Sequence, residues 1–155
     1  MDHGHRGLSS LLAGSLLLLL VACDGSSSPT QPGGPVSFTT IHSGTSLGFS
    51  PFSNGTAIND RGTWQGVWEQ LGRTGSAPAV DFSREMVLLA TGPGCGGETT
   101  IRSVTQDRGR VVVDALATSC DNVICIAADY SVHAVRVSRT SGAVDFVVSS
   151  VSKHC

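Results

Sequence analysis

Gly44-Thr45-Ser46-Leu47-Gly48 matches G-x-S-x-G, the spacing of a serine held on a sharp strand-to-helix turn so that a histidine can take its proton. His42 and His133 are the available bases, and Asp60, Asp81 and Asp129 the available orienting acids. The motif needs a helix directly after it. Phe49-Ser50-Pro51-Phe52 follows instead, and Pro51 blocks that helix. The stretch therefore reads as a flexible loop, and no catalytic residue is assigned. Gly92-Pro93-Gly94-Cys95-Gly96-Gly97 satisfies G-x-G-x-x-G, yet a dinucleotide site needs a helix whose first N–H groups meet the pyrophosphate. Glu98–Val104 reads as a strand, so Gly96 and Gly97 belong to a tight reversal. Four cysteines, Cys95, Cys120, Cys125 and Cys155, with His42, His133 and His154, supply enough ligands for zinc, but no C-x-x-C pair is present. Neither a metal nor a cofactor is expected.

A fifth thiol has a different chemistry. Arg6 precedes an apolar run, Leu8–Ala22, broken only by Gly14 and three serines and ending Leu20-Val21-Ala22-Cys23. The run has the charge and length of a secretory leader and is shorter than the roughly 20 residues a spanning helix needs. Its end closely resembles a bacterial lipobox: cleavage between Ala22 and Cys23 leaves a cysteine whose thiol carries the acyl chains. More than one chain makes anchoring stable. The expected partner is thus the membrane, through lipidated Cys23. In an exported chain the other four cysteines suggest two disulfides. Three connectivities are open; the expected one is Cys120–Cys125 across a loop and Cys95–Cys155 pinning the tail to the glycine turn.

Residues 1–22 are thus read as the leader, 23–35 as a Ser/Gly/Pro-rich tether and 36–155 as one domain. The full chain has 155 residues, with 10 Lys+Arg against 12 Asp+Glu. Without a basic run, electrostatic capture of nucleic acid is not expected. One helix is predicted, opened by Asp60 as its cap. Trp64, Val67, Trp68 and Leu71 form its apolar stripe, Arg61, Gln65, Glu69 and Gln70 face water, and Gly72 stops it. The two tryptophans are core residues or a ligand platform, and their indole N–H groups need acceptors if buried. Asp81 is expected to bond nearby backbone N–H groups in a turn. Glu85–Thr91 is the most hydrophobic stretch of the mature chain, and its continuous pattern suggests a central strand covered on both faces. Val111, Val113, Ala115 and Ala117 alternate as one buried strand face, and Tyr130–Val137 and Ala143–Val148 complete the pattern. The fold class is α+β: a mainly antiparallel sheet of about five to seven strands, packed by a single amphipathic helix.

Trp64-x-x-x-Trp68, then Pro78-Ala79-Val80-Asp81-Phe82-Ser83-Arg84-Glu85-Met86, then Gly96-Gly97 leading into Thr100-Ile101, resembles the carboxy-terminal domain of the protease complex subunit PrcB family. The resemblance spans roughly Val36 to Val148. It implies an exported, often lipid-anchored accessory protein whose partner is an exported protease or another envelope protein. It supplies no catalytic residues. A small-ligand carrier using the Trp64/Trp68 face is the alternative.

Overall fold

The computed structural model describes residues 33–125 and 127–155; Ala22 and Cys23 lie outside them. In chain order the elements are β1 (Gly34–Pro35), β2 (Phe38–Leu47), β3 (Gly55–Ile58), α1 (Arg61–Gln70), β4 (Glu85–Pro93), β5 (Thr99–Asp107), β6 (Arg110–Cys120), β7 (Asp129–Ser138) and β8 (Val144–Lys153). The strands form two four-stranded sheets, ordered β1-β5-β6-β8 and β2-β7-β4-β3. The helix lies on the outer face of the second sheet, which is thereby the middle layer of three.

The layering explains the sequence pattern. In β4, Met86, Leu88 and Ala90 point into the space between the sheets, while Val87 and Leu89 point toward the helix. β7 divides in the same way, with Val135 and Val137 on one side and Tyr130, Val132 and Ala134 on the other. A middle layer has no polar face, so its strands are apolar without alternation. Strands of the outer sheet do alternate: Val111, Val113, Ala115 and Ala117 are buried and the residues between them are partly exposed.

α1 forms where its caps and stripe predict. The Asp60 carboxylate accepts from the Thr63 backbone N–H at 2.8 Å and from the Thr63 hydroxyl at 2.7 Å. Those bonds hold its pKa below the usual carboxylate value. Leu71 closes the helix, and Gly72, at φ 70°, turns the chain in the left-handed region. Trp64, Val67 and Leu71 are buried against the sheet, and Trp68 is partly buried. Gln65 differs from its expected solvent position: its amide accepts from the Ala77 N–H and donates to the Gly75 carbonyl, fastening the following loop to the helix.

Three expectations are corrected. A single sheet of five to seven strands becomes eight strands in two stacked sheets, and one pair is parallel: β6 and β8, from Val111↔Val144 to Cys120↔Lys153. The return path between them is β7, a strand of the other sheet. A chain that crosses between layers needs no helix to bring two strands parallel. The stretch Gly44–Leu47 is not a loop but the end of β2, paired with β7 through Ser46↔Tyr130 and Leu47↔Asp129. The disulfides are Cys95–Cys125 and Cys120–Cys155, both with Cα atoms 5.5 Å apart, instead of Cys120–Cys125 and Cys95–Cys155. The parallel register is the reason: it ends β8 beside Cys120, so the tail reaches that thiol, and the loop after β6 carries Cys125 to the glycine turn.

That turn is as tight as its composition suggests. Cys95 and Gly96 both have positive φ, and a Cβ at Gly97 would collide with the Thr118 carbonyl. Two further irregularities matter for the site. β2 slips register between Thr40 and His42, and β5 between Ile101 and Ser103. Each is a bulge, which turns the residues after it to the opposite face of the sheet.

Candidate functional site

The bulge in β2 sorts its side chains. Before it, Phe38 packs between the sheets and the Thr40 hydroxyl reaches His133 there. After it, His42 and Ser46 turn toward the helix. His42 lies edge-on to Trp68, ring centroids 5.1 Å apart, and Ser46 donates to the Leu71 carbonyl at 3.0 Å. Ser46 is therefore tied to the end of α1, and neither histidine is its partner.

His133 projects from β7 into the space between the sheets. Its Nδ1 accepts the Ile101 N–H at 2.8 Å, at the bulge of β5, which fixes the ring proton on Nε2. Nε2, 2.9 Å from the Thr40 hydroxyl, then donates to it. One imidazole thus joins the two sheets where both ladders are irregular. Burial holds its pKa below the ordinary histidine value.

The other candidate polar groups are engaged in turns and caps. Asp81 accepts from the Ser83 N–H at 3.1 Å and from its hydroxyl at 2.6 Å, as the turn reading expects, and these bonds lower its pKa. Asp129 accepts from the Cys95 N–H at 2.7 Å. Phe82 packs at the edge of the helix-side core, and its carbonyl accepts from the Arg139 guanidinium, which also donates to the Asn59 carbonyl at 3.1 Å. Gly96 lies against the Cys120 sulfur, and its carbonyl oxygen is 3.3 Å from that disulfide sulfur, a contact without a hydrogen bond. Among the described residues no group of three His, Cys, Asp or Glu side chains is placed to hold a metal ion.

A cleft of about 820 Å³ opens beside Asn59, Ser83, Arg84, Arg139, Thr140 and Ser141. Its central cation, Arg139, is already used by two backbone carbonyls. A second surface region is different. His42, Trp68 and Arg73 meet where β2 runs past the C-terminal end of α1. Both the Arg73 Nη2 and the His42 ring lie within 4 Å of one point beside Gly44, the place where a Cβ would stand. A larger residue at Gly44 would press on both groups. Arg73 Nη2 donates to the Thr45 carbonyl at 3.0 Å. Three buried nitrogens here, His42 Nε2, Trp68 Nε1 and Arg73 Nε, have no hydrogen-bond partner. Burial, followed by the charge of Arg73, lowers the His42 pKa.

The tryptophans accordingly divide. Trp64 is core, with its indole N–H on the Pro78 carbonyl at 3.0 Å. Trp68 is the member of the pair whose N–H lacks an acceptor. Sequence reasoning found His42, Trp68, Ser46 and His133 but missed Thr40, Arg73 and Arg139, since nothing in their local spacing marks them.

No protein-family model, curated protein or solved structure matches the chain.

Proposed function

We propose that the protein is a non-catalytic module of the bacterial cell envelope, anchored through lipidated Cys23, that binds or stabilises a partner protein, with an exported protease as the candidate. One observation carries this reading. Ser46, His133, Asp60, Asp81 and Asp129, the groups that could serve a reaction, are each bonded into the fold. At His42, Trp68 and Arg73, by contrast, three buried nitrogens have no partner among the described residues. Trp and Arg are the side chains that most often dominate binding interfaces. Two disulfides agree with an oxidising, exported compartment. The likeness of the Trp64–Trp68 and Val80–Met86 segments to the PrcB carboxy-terminal domain supports an accessory role beside a protease.

The experiment is crosslinking in intact envelopes followed by fractionation. The wild-type chain is expected in the membrane fraction, crosslinked to one reproducible partner whose abundance falls when the gene is deleted. Cys23→Ser moves the chain to the soluble fraction. Unchanged fractionation of Cys23→Ser ends the anchoring half of the proposal, and repeated recovery of no partner ends the other half. Labelling by a fluorophosphonate that disappears in Ser46→Ala replaces the reading with a hydrolase.

A further inference from the structure

The edges of the two sheets are not alike. β1 has two residues, one of them Pro35, β3 has four, and β2 is interrupted by its bulge. Short strands, proline and bulges are the devices that keep a sheet edge from pairing with another chain. β8 has none of them. It runs ten residues, Val144–Lys153, in unbroken parallel register on β6, and among the described residues no strand pairs with its other side. Its far end is fastened: the Lys153 carbonyl accepts from the Asp121 N–H at 3.0 Å, and Cys155 is bridged to Cys120.

The ladder fixes which groups that edge offers. The Ala143 and Lys153 carbonyls accept from Val111 and Asp121, both on the β6 side. Backbone polar groups alternate in direction along a strand, so the odd-numbered residues of β8 bond β6. Phe146, Val148, Ser150 and Ser152 then aim their N–H and carbonyl groups at the free edge. Side chains alternate between faces. Val144, Phe146 and Val148 pack toward the space between the sheets, while Asp145, Val147, Ser149, Val151 and Lys153 line the outer face. Val147 and Val151 are each half exposed there. The outer row reads acid, valine, serine, valine, base, and it complements its own reverse.

We propose that β8 is a self-pairing edge, and that its occupant is β8 of a second copy of this chain, antiparallel about a two-fold axis at Ser149. In that register Asp145 faces Lys153 of the second copy, Val147 faces Val151, and Ser149 faces itself. These are the non-hydrogen-bonded pairs, whose side chains stand closest, and the residues between them supply the ladder. Either neighbouring register with the same bonding pattern sets valine against serine and parts Asp145 from Lys153. Asp145 already accepts from Arg110 at 2.6 Å, while Lys153 has no acidic partner among the described residues. The two copies form one eight-stranded sheet that ends at β1 on both sides, so the assembly closes at two. The inference does not depend on the anchoring or partner-binding reading.

The test uses the purified full chain in mild detergent, with both disulfides formed. Ser149→Cys puts a thiol on the axis, facing its copy at a separation that a disulfide spans. Mild oxidation is expected to give a dimer on a non-reducing gel, with the wild-type chain, which carries the same other cysteines, as the blank. Val147→Cys alone stays monomeric, and Val147→Cys combined with Val151→Cys crosslinks. Lys153→Glu, added to Ser149→Cys, sets like charges at both ends of the interface and lowers the crosslinked fraction about fivefold or more. Ser150→Pro in the same background removes an edge-facing N–H that β6 does not use, and lowers it at least as much. Circular dichroism melting checks that both variants keep the fold.

No dimer from Ser149→Cys, equal crosslinking by Val147→Cys alone, or a yield indifferent to Lys153→Glu overturns the proposal. Coupling of Ser149→Cys to a different polypeptide in crude envelopes, and not to its own copy, gives the edge to a foreign strand and overturns self-pairing. The gel reads the same whether or not Cys23 is acylated, so failure of the anchoring proposal leaves this test intact.

Discussion

His42 and His133 sit on neighbouring strands of one sheet, one position apart in register across β2 and β7, and look to opposite faces of it. His133 faces the space between the sheets and has a partner on each ring nitrogen, Ile101 on one side and Thr40 on the other. His42 faces the helix, and its Nε2 is buried with nothing bonded to it. Burial lowers the pKa of both. The same residue type, in the same sheet and under the same desolvation, is completed by the fold in one place and left incomplete in the other. A satisfied buried polar group organises a core, whereas a buried one without a partner leaves its desolvation uncompensated. The bulges decide which is which. Without the slip at Ile41, His42 would continue on the Thr40 side of the strand and could not reach Trp68.

The sharpest way to break the comparison is to remove each imidazole in turn. His133→Leu keeps much of the side-chain volume but strands the Ile101 N–H in a dry interior and deprives Thr40 of its donor. Stranded buried groups cost about 1–3 kcal/mol each, so a loss of about 2–4 kcal/mol in urea unfolding is expected. His42→Leu removes a nitrogen that has no partner to lose, and should change stability by less than about 1 kcal/mol. His133→Gln, whose amide oxygen can accept from Ile101, should recover part of the first loss. Equal losses at the two positions would show that the contrast in bonding has no energetic content.

Some of this was legible in the chain. The capped helix follows from Asp60, the three- and four-residue spacing from Trp64 to Leu71, and Gly72. The doubly covered β4 follows from an apolar run too short and too continuous for a half-exposed strand. The division into two sheets and the parallel β6/β8 pair were not legible, because strand spacing carries no record of which sheet a strand joins. The disulfide map failed for the same reason: Cys120 meets Cys155 through a register between strands far apart in sequence, and local proximity pointed to Cys125 instead. The serine motif was correctly refused as an elbow, yet placed in a loop when it is strand. Arg73 could not be found at all, since its role depends on a bulge more than thirty residues earlier.

Acid should separate the two histidines next. Each has a folded-state pKa below its unfolded value near 6.5, so the unfolded chain binds more protons as the pH falls. Stability is then complete above about pH 6.5 and declines below it, with a slope of at most about 1.4 kcal/mol per pH unit for each histidine. His133→Gln should remove its share of that slope. The share belonging to His42 should survive in His133→Gln and disappear in His42→Leu. A slope unchanged by either substitution would show that burial holds neither imidazole neutral.

The tryptophans repeat the comparison on a smaller scale. Trp64→Phe deletes an indole N–H that donates to the Pro78 carbonyl in a site only 1% exposed, leaving that carbonyl without its donor. A net loss of about 1 kcal/mol is expected, typical of one buried hydrogen bond. Trp68→Phe deletes an N–H that has no acceptor, so the desolvation cost of that group disappears along with it. Stability should stay within about 0.5 kcal/mol of the wild type. The informative result is the difference between the two losses. A hydrogen bond removed from the core lowers stability, whereas an unpaired N–H takes its own burial cost away with it. If Trp68→Phe lost as much stability as Trp64→Phe, the missing acceptor at Trp68 would carry no energetic weight.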